Sequence, residues 1–227
     1  MLKKILLRTA LIFLVSVFIS PLVFSATNIG NLLDIYERIS GNKPSVEVFS
    51  IALVGYQQTY DAGLLINDNG NITIIDYSLP STAKRLWVIN LKTEKTIYHT
   101  YVAHGKNSGE LYATKFSNIK NSNQSSPGFF LTSEIYQGKN GLSLRLDGLE
   151  PGINDAARTR AIVMHGAWYA NESMISSAGR LGRSFGCPAV PVAIHKELIH
   201  TIANGSLIFI YVKDEGYFGH SAYFKNS

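Results

Sequence analysis

From Asn71 onward the chain breaks into short apolar runs separated by turn residues, and this texture limits the fold more than any other feature. Ile72–Tyr77, Phe129–Leu131, Leu142–Leu146, Ala161–Met164 and Leu207–Val212 each have the length and β-branched or aromatic content of a strand. Leu86–Leu91 and Thr96–Val102 read as a hairpin joined through Lys92-Thr93-Glu94-Lys95. Residues 107–127 are polar and rich in serine and asparagine, which marks a long loop of the kind that lines sites. Helical patterns lie at the periphery. Asn28–Ser40 spaces Ile29, Leu32, Leu33, Tyr36 and Ile39 along one face, Val46–Tyr60 follows the Gly41–Pro44 break, and Ala193–Ala203 follows Pro191. The sum is one mainly β domain with peripheral helices, 28–60 forming a helical part packed on its body.

Residues 1–25 read as a secretory signal. Lys3, Lys4 and Arg8 precede the apolar run Leu11–Ile19, Pro21 ends it, and cleavage is expected after Ser25 or Ala26. The alternative is an uncleaved anchor, for which the run is short. The mature chain, 26–227, is expected to be a single domain beyond the inner membrane, periplasmic or extracytoplasmic. The formal charge of +5 shrinks accordingly. Three of the 21 basic residues and none of the 16 acidic ones lie in the signal, leaving 18 against 16, or +2. That balance argues against nucleic acid as a partner.

Cys187 is the single cysteine. In an exported chain it has no internal partner for a disulfide, so chemistry is the better reason to keep it. Gly186 before it lets a substrate approach the backbone, and the Ser184-Phe185-Gly186-Cys187 turn is expected to aim N–H groups at an oxyanion. His165, at the end of Ala161-Ile162-Val163-Met164, is the candidate base, with the Gly166 carbonyl available to fix its tautomer. His104, in Val102-Ala103-His104-Gly105, competes as base, substrate contact or structural group. Arg183 is the best candidate to bind a carboxylate, ahead of Arg180 and Arg145. Trp168 is a candidate cleft wall, with Tyr169 beside it. No fourth residue completes a zinc set, and no cofactor motif is present.

Together, His165-Gly166 and Ser184-Phe185-Gly186-Cys187 resemble the catalytic signature of the L,D-transpeptidases, the YkuD-type murein enzymes. The likeness extends to Ile75-Asp76-Tyr77-Ser78, Arg85-Leu86-Trp87-Val88-Ile89, Phe116-Ser117-Asn118, Ser125-Ser126-Pro127-Gly128, Tyr136-Gln137-Gly138-Lys139 and Leu144–Leu149, nearly the whole mature chain. The resemblance implies a YkuD-like β-sandwich catalytic domain and a peptidoglycan stem peptide as substrate. It implies that Cys187 attacks the diaminopimelate carbonyl, expels D-alanine and holds a thioester until an amine of a second stem resolves it. One departure stands out. The family form has an aliphatic residue and then Arg or Asn after the cysteine, where this chain has Pro188 and Ala189. Arg183 or His104 is expected to substitute. A carboxypeptidase or amidase using the same thiol, and a non-catalytic wall-binding module, are the alternatives.

Overall fold

The computed structural model describes residues 26–66 and 69–224; the expected signal lies outside them. Its core is one eight-stranded sheet in the order β3-β2-β1-β8-β4-β5-β6-β7. The strands are β1 (Asn71–Asp76), β2 (Leu86–Asn90), β3 (Lys95–Thr100), β4 (Gly128–Gly138), β5 (Gly141–Gly148), β6 (Val163–Ala167), β7 (Ala189–Pro191) and β8 (Leu207–Tyr211). β1 and β8 pair in parallel at the centre. Every residue of both is buried, which is why their sequences are near-continuous apolar runs rather than alternating ones.

The sheet curls until its ends meet. Ala103, just beyond β3, bridges to Ala189 of β7, and Gly105 bridges to Ser184. The mainly β class with peripheral helices is therefore as the sequence indicates, in the form of a single near-barrel sheet.

Helix α1 (Ala26–Arg38) and α2 (Val46–Asp61) flank the sheet. Ser45 caps α2, its hydroxyl accepting from the Val48 N–H. Helix α2 buries Val48, Phe49, Ile51, Ala52 and Leu53, packing on β1 and β8. Helices α3 (Glu172–Ala178), α4 (His195–Ile202) and α5 (Glu215–His220) complete the fold. Helix α4 presses Leu198, Ile199 and Ile202 against β1, β4, β5 and β6. Helices α3 and α5 and strand β7 are absent from the sequence reading, since each has eight residues or fewer and no period to detect. No described helix is long and apolar enough to cross a membrane.

Candidate active site

Cys187 ends a turn that is fixed from three sides. The Ser184 hydroxyl donates to the Cys187 carbonyl at 2.6 Å and accepts from the Gly186 N–H at 3.0 Å, closing the turn with one group that can do both. The His104 carbonyl accepts from the Ser184 N–H at 2.9 Å, and the Ser184 carbonyl accepts from the Lys106 N–H at 2.8 Å. The Ser125 hydroxyl donates to the Gly186 carbonyl at 3.0 Å. Gly186 sits at φ +127°, and a Cβ there would lie 2.8 Å from the Gln124 carbonyl oxygen and 3.0 Å from Ile162 Cδ1. Its hydrogen is thus required by both conformation and space. The expectation that the Gly186 N–H faces an oxyanion needs correcting, because the Ser184 hydroxyl already takes it.

Cys187 is half-buried. Its thiol accepts from the Val163 N–H at 3.5 Å and faces the Ala161 carbonyl at 3.7 Å. β6 and β7 run parallel, with His165 opposite Ala189. The contact of Sγ with the Val163 N–H sets Cys187 beside the start of β6. Cys187 itself lies in the bend before β7, and its Sγ meets the first residue of β6, two residues before His165. His165 is inside β6, not at its end as the sequence reading has it, because β6 continues through Gly166 and Ala167.

His165 is 4% exposed, with Nδ1 at 2.9 Å from the Gly166 carbonyl. A carbonyl only accepts, so Nδ1 carries the proton and Nε2 keeps its lone pair. Gly166 has a second duty. A Cβ on it would lie 2.6 Å from Cγ of His195, whose ring packs across this strand and is held by the Val192 carbonyl at 2.8 Å. Burial pushes the His165 imidazole below its ordinary range. Burial pushes the Cys187 thiol up, opposed by the Val163 N–H and by the charges of Arg160 and Lys139. Both shifts favour the uncharged forms, a neutral thiol and a neutral imidazole.

Several expected contacts are placed elsewhere. His104 is 0% exposed, with both ring nitrogens engaged, Nδ1 by Arg85 at 2.7 Å and Nε2 by the Gly109 carbonyl at 3.2 Å. It holds the frame and has no edge left for substrate or for proton transfer. Arg183 ion-pairs with Glu110 at 2.6 Å and also donates to the Lys106 and Gly109 carbonyls; Arg180 takes the other Glu110 oxygen at 3.0 Å. Arg145 pairs with Glu134 at 2.8 Å. These arginines are occupied, so the expected carboxylate fork at Arg183 is already filled by Glu110. Trp168 follows β6 and is 71% exposed, free to form a wall.

Arg160 is the neighbour that the sequence does not advertise. Nη1 donates to the Ser117 carbonyl at 2.6 Å and the Ser126 hydroxyl at 2.5 Å, and Nη2 to the Gln124 carbonyl at 2.6 Å. It thereby fastens the long loop under the Cys187 turn. Nothing in the spacing of Arg160 and Cys187 points to this contact; only the folded loop between them creates it. Among the described residues, no cluster of three or more His, Cys, Asp or Glu could hold a metal ion.

This curled β domain lays a turn that ends in a cysteine against the strand that bears His165. A family model described as the L,D-transpeptidase catalytic domain (YkuD_2) matches residues 41–211, and the chain belongs to that family. Similar solved structures include an L,D-transpeptidase from Mycobacterium smegmatis, 12% identical over 63% of this chain and 59% of its own, with a TM-score of 0.40. L,D-transpeptidase 3 from Mycobacterium tuberculosis, in complex with a faropenem-derived adduct, is 10% identical over 63% of this chain and 60% of its own, at 0.39. A fused Zn-dependent amidase/peptidase/peptidoglycan-binding domain-containing protein from Clostridium acetobutylicum is 16% identical over 77% and 66%, at 0.37. The chain thus spans less than two thirds of the length of each. No curated protein matches the sequence.

Proposed function

We propose that this chain is an exported L,D-transpeptidase that acts on peptidoglycan stem peptides through Cys187. The observation that carries the reading is the His165 tautomer. With Nδ1–H bound to the Gly166 carbonyl, the imidazole keeps a basic Nε2, and it stands two residues along β6 from the Val163 N–H that the thiol meets. Nε2 takes the Sγ proton as sulfur attacks the carbonyl of the third stem residue. The tetrahedral oxyanion is met by the Cys187 N–H, the amide of the turn nearest the sulfur. Collapse breaks the peptide bond, and the departing D-alanine amine takes the proton back from His165. The amine of a second stem then attacks the thioester, loses its proton to His165, and releases the thiolate with a new cross-link.

Intact-mass analysis after incubation with a carbapenem tests the thiol. One adduct, mapped to Cys187 and lost in Cys187→Ala, is expected. A muropeptide digest tests the acceptor: a new dimer is expected, whereas D-alanine release without a dimer means the thioester goes to water. Absence of both adduct and product with the folded wild-type chain would refute the enzymatic reading.

A further inference from the structure

Both backbone polar groups of Gly186 are held, and by two different serines. The Ser184 hydroxyl, inside the turn, takes the N–H, while the Ser125 hydroxyl, 61 residues upstream, donates to the carbonyl at 3.0 Å. A trans peptide is planar, with its C=O and N–H pointing opposite ways. The Gly186 carbonyl shares its plane with the Cys187 N–H, so the group that fixes one aims the other. Among the described residues, no group outside Cys187 accepts from that N–H. Gly186 has no Cβ and sits at φ +127°, so its own sterics leave the following peptide free to rotate.

Ser125 is fixed in its turn. It is 1% exposed. Its Oγ accepts from the Gly105 N–H at 3.0 Å, which directs its one proton to the Gly186 carbonyl. Its N–H donates to the Ser108 hydroxyl at 2.9 Å, and its carbonyl accepts from the Ser117 N–H at 3.0 Å. A Cβ on Gly105 would lie 2.9 Å from the Ser125 nitrogen and 3.0 Å from Gly186 Cα. Three backbone segments thus meet at this point with no room to shift.

We infer that Ser125 is a positioning residue for acyl transfer: by holding the Gly186 carbonyl, it points the Cys187 N–H at the oxyanion that forms when the sulfur attacks a carbonyl. The inference rests on the transpeptidase reading for its substrate, and Ser125 acts only through Gly186. A donor already aimed stabilises a developing charge without reorganising, and one that must first turn toward it loses that advantage.

Two reactions of the single cysteine separate this role from a merely structural one. A carbapenem acylates the sulfur through a tetrahedral oxyanion; the lactam C–N bond then breaks and its nitrogen takes the proton. Iodoacetamide alkylates the sulfur by displacing iodide from a saturated carbon, and no oxyanion forms. Both rates are measured on the full chain at one pH, with the labelled peptide mapped to Cys187, and the thiolate fraction cancels in their ratio. Ser125→Ala should lower the ratio of acylation to alkylation roughly tenfold to a hundredfold. An unchanged ratio, or two rates that fall together, overturns the inference. Ser125→Cys keeps the shape with a weaker donor, and its ratio should fall between the two. It decides the matter if the alanine variant does not fold, an unchanged ratio again overturning the inference. If the wild-type chain forms neither a carbapenem adduct nor a muropeptide product, the proposed function fails, while the same comparison with p-nitrophenyl acetate as acyl donor still decides the role of Ser125.

Discussion

Nη2 of Arg85 donates to Nδ1 of His104 across 2.7 Å, and this contact fixes the proton on Nε2, where it reaches the Gly109 carbonyl. Arg85 is itself fully buried, held by the Val102 and Leu79 carbonyls and stacked over the Tyr77 ring. The pair sits behind the strand-end segment that clamps the Cys187 turn, so the frame of the site has a built-in neutral histidine. Burial first, then the Arg85 charge, hold the His104 pKa down to about 4.

The pH dependence of stability follows from that shift. The unfolded chain takes up a proton on this histidine below about pH 6.5, whereas the folded chain resists until about pH 4. Stability is therefore complete above 6.5 and falls as the pH drops between those values. The loss attributable to His104 approaches roughly 3 kcal/mol by pH 4. Buried Asp76 and Glu150, whose pKa values burial raises, act in the opposite sense. The comparison with His104→Gln isolates the imidazole, because glutamine can accept from Arg85 and donate to Gly109 without titrating. Urea melts from pH 7 to 4 should show a shallower decline for the variant; parallel declines would contradict the assignment.

Gly186→Ala should distort the turn rather than merely crowd it. Its φ of +127° is strained for any L residue, and the added carbon would press on the Gln124 carbonyl and Ile162. A loss of about 2 kcal/mol is expected, together with a fall in carbapenem acylation larger than the loss of stability explains. Thermal melts and acylation rates, both at 25 °C or extrapolated to it, check the two parts.

Arg160→Met removes four hydrogen bonds and one charge near the sulfur. The loop carbonyls lose their donor in a half-buried setting, so about 2 kcal/mol of stability should go. Since the Arg160 charge favours the thiolate, the alkylation pKa of Cys187 should also rise. Arg160→Lys should recover part of the charge effect and little of the stability, because an ammonium cannot span those acceptors.

The legibility of these features in the sequence differs for physical reasons. β1 and β8 are plain because burial on both faces demands unbroken apolar runs, and α2 because its apolar residues are a local signal, whereas its Ser45 cap shows only in the structure. The contact of His165 with the Gly166 carbonyl is legible because it spans one residue. Arg183 and His104 were misplaced as substrate contacts because a charge or ring is named by the sequence while its partner is named by the fold. Glu110 and Arg85, the partners concerned, carry no local signal of their destination. Arg160 and the fit of His195 against Gly166 are likewise products of topology, which brings residues distant along the chain to one place.

The protonation states of Cys187 and His165 lead to a final prediction that separates the resting enzyme from the working one. Burial raises the thiol and lowers the imidazole, so both favour the uncharged pair. Thiolate accumulates only as the pH climbs above the ordinary thiol range, while the imidazole is neutral, and so able to accept a proton, throughout the neutral region. Alkylation of the free enzyme should therefore rise to a single alkaline inflection, with no plateau at pH 5–7 of the kind a preformed thiolate–imidazolium pair gives. His165→Ala should leave that profile nearly unaltered, since the hydrogen-bond partners of the resting Sγ are Val163 and Ala161. Transpeptidation should fall by about a thousandfold in the same variant, because the proton must move when the carbonyl is attacked. A low-pH plateau that vanishes in His165→Ala would mean that the ion pair exists before substrate arrives, and that burial is not the dominant influence on the sulfur.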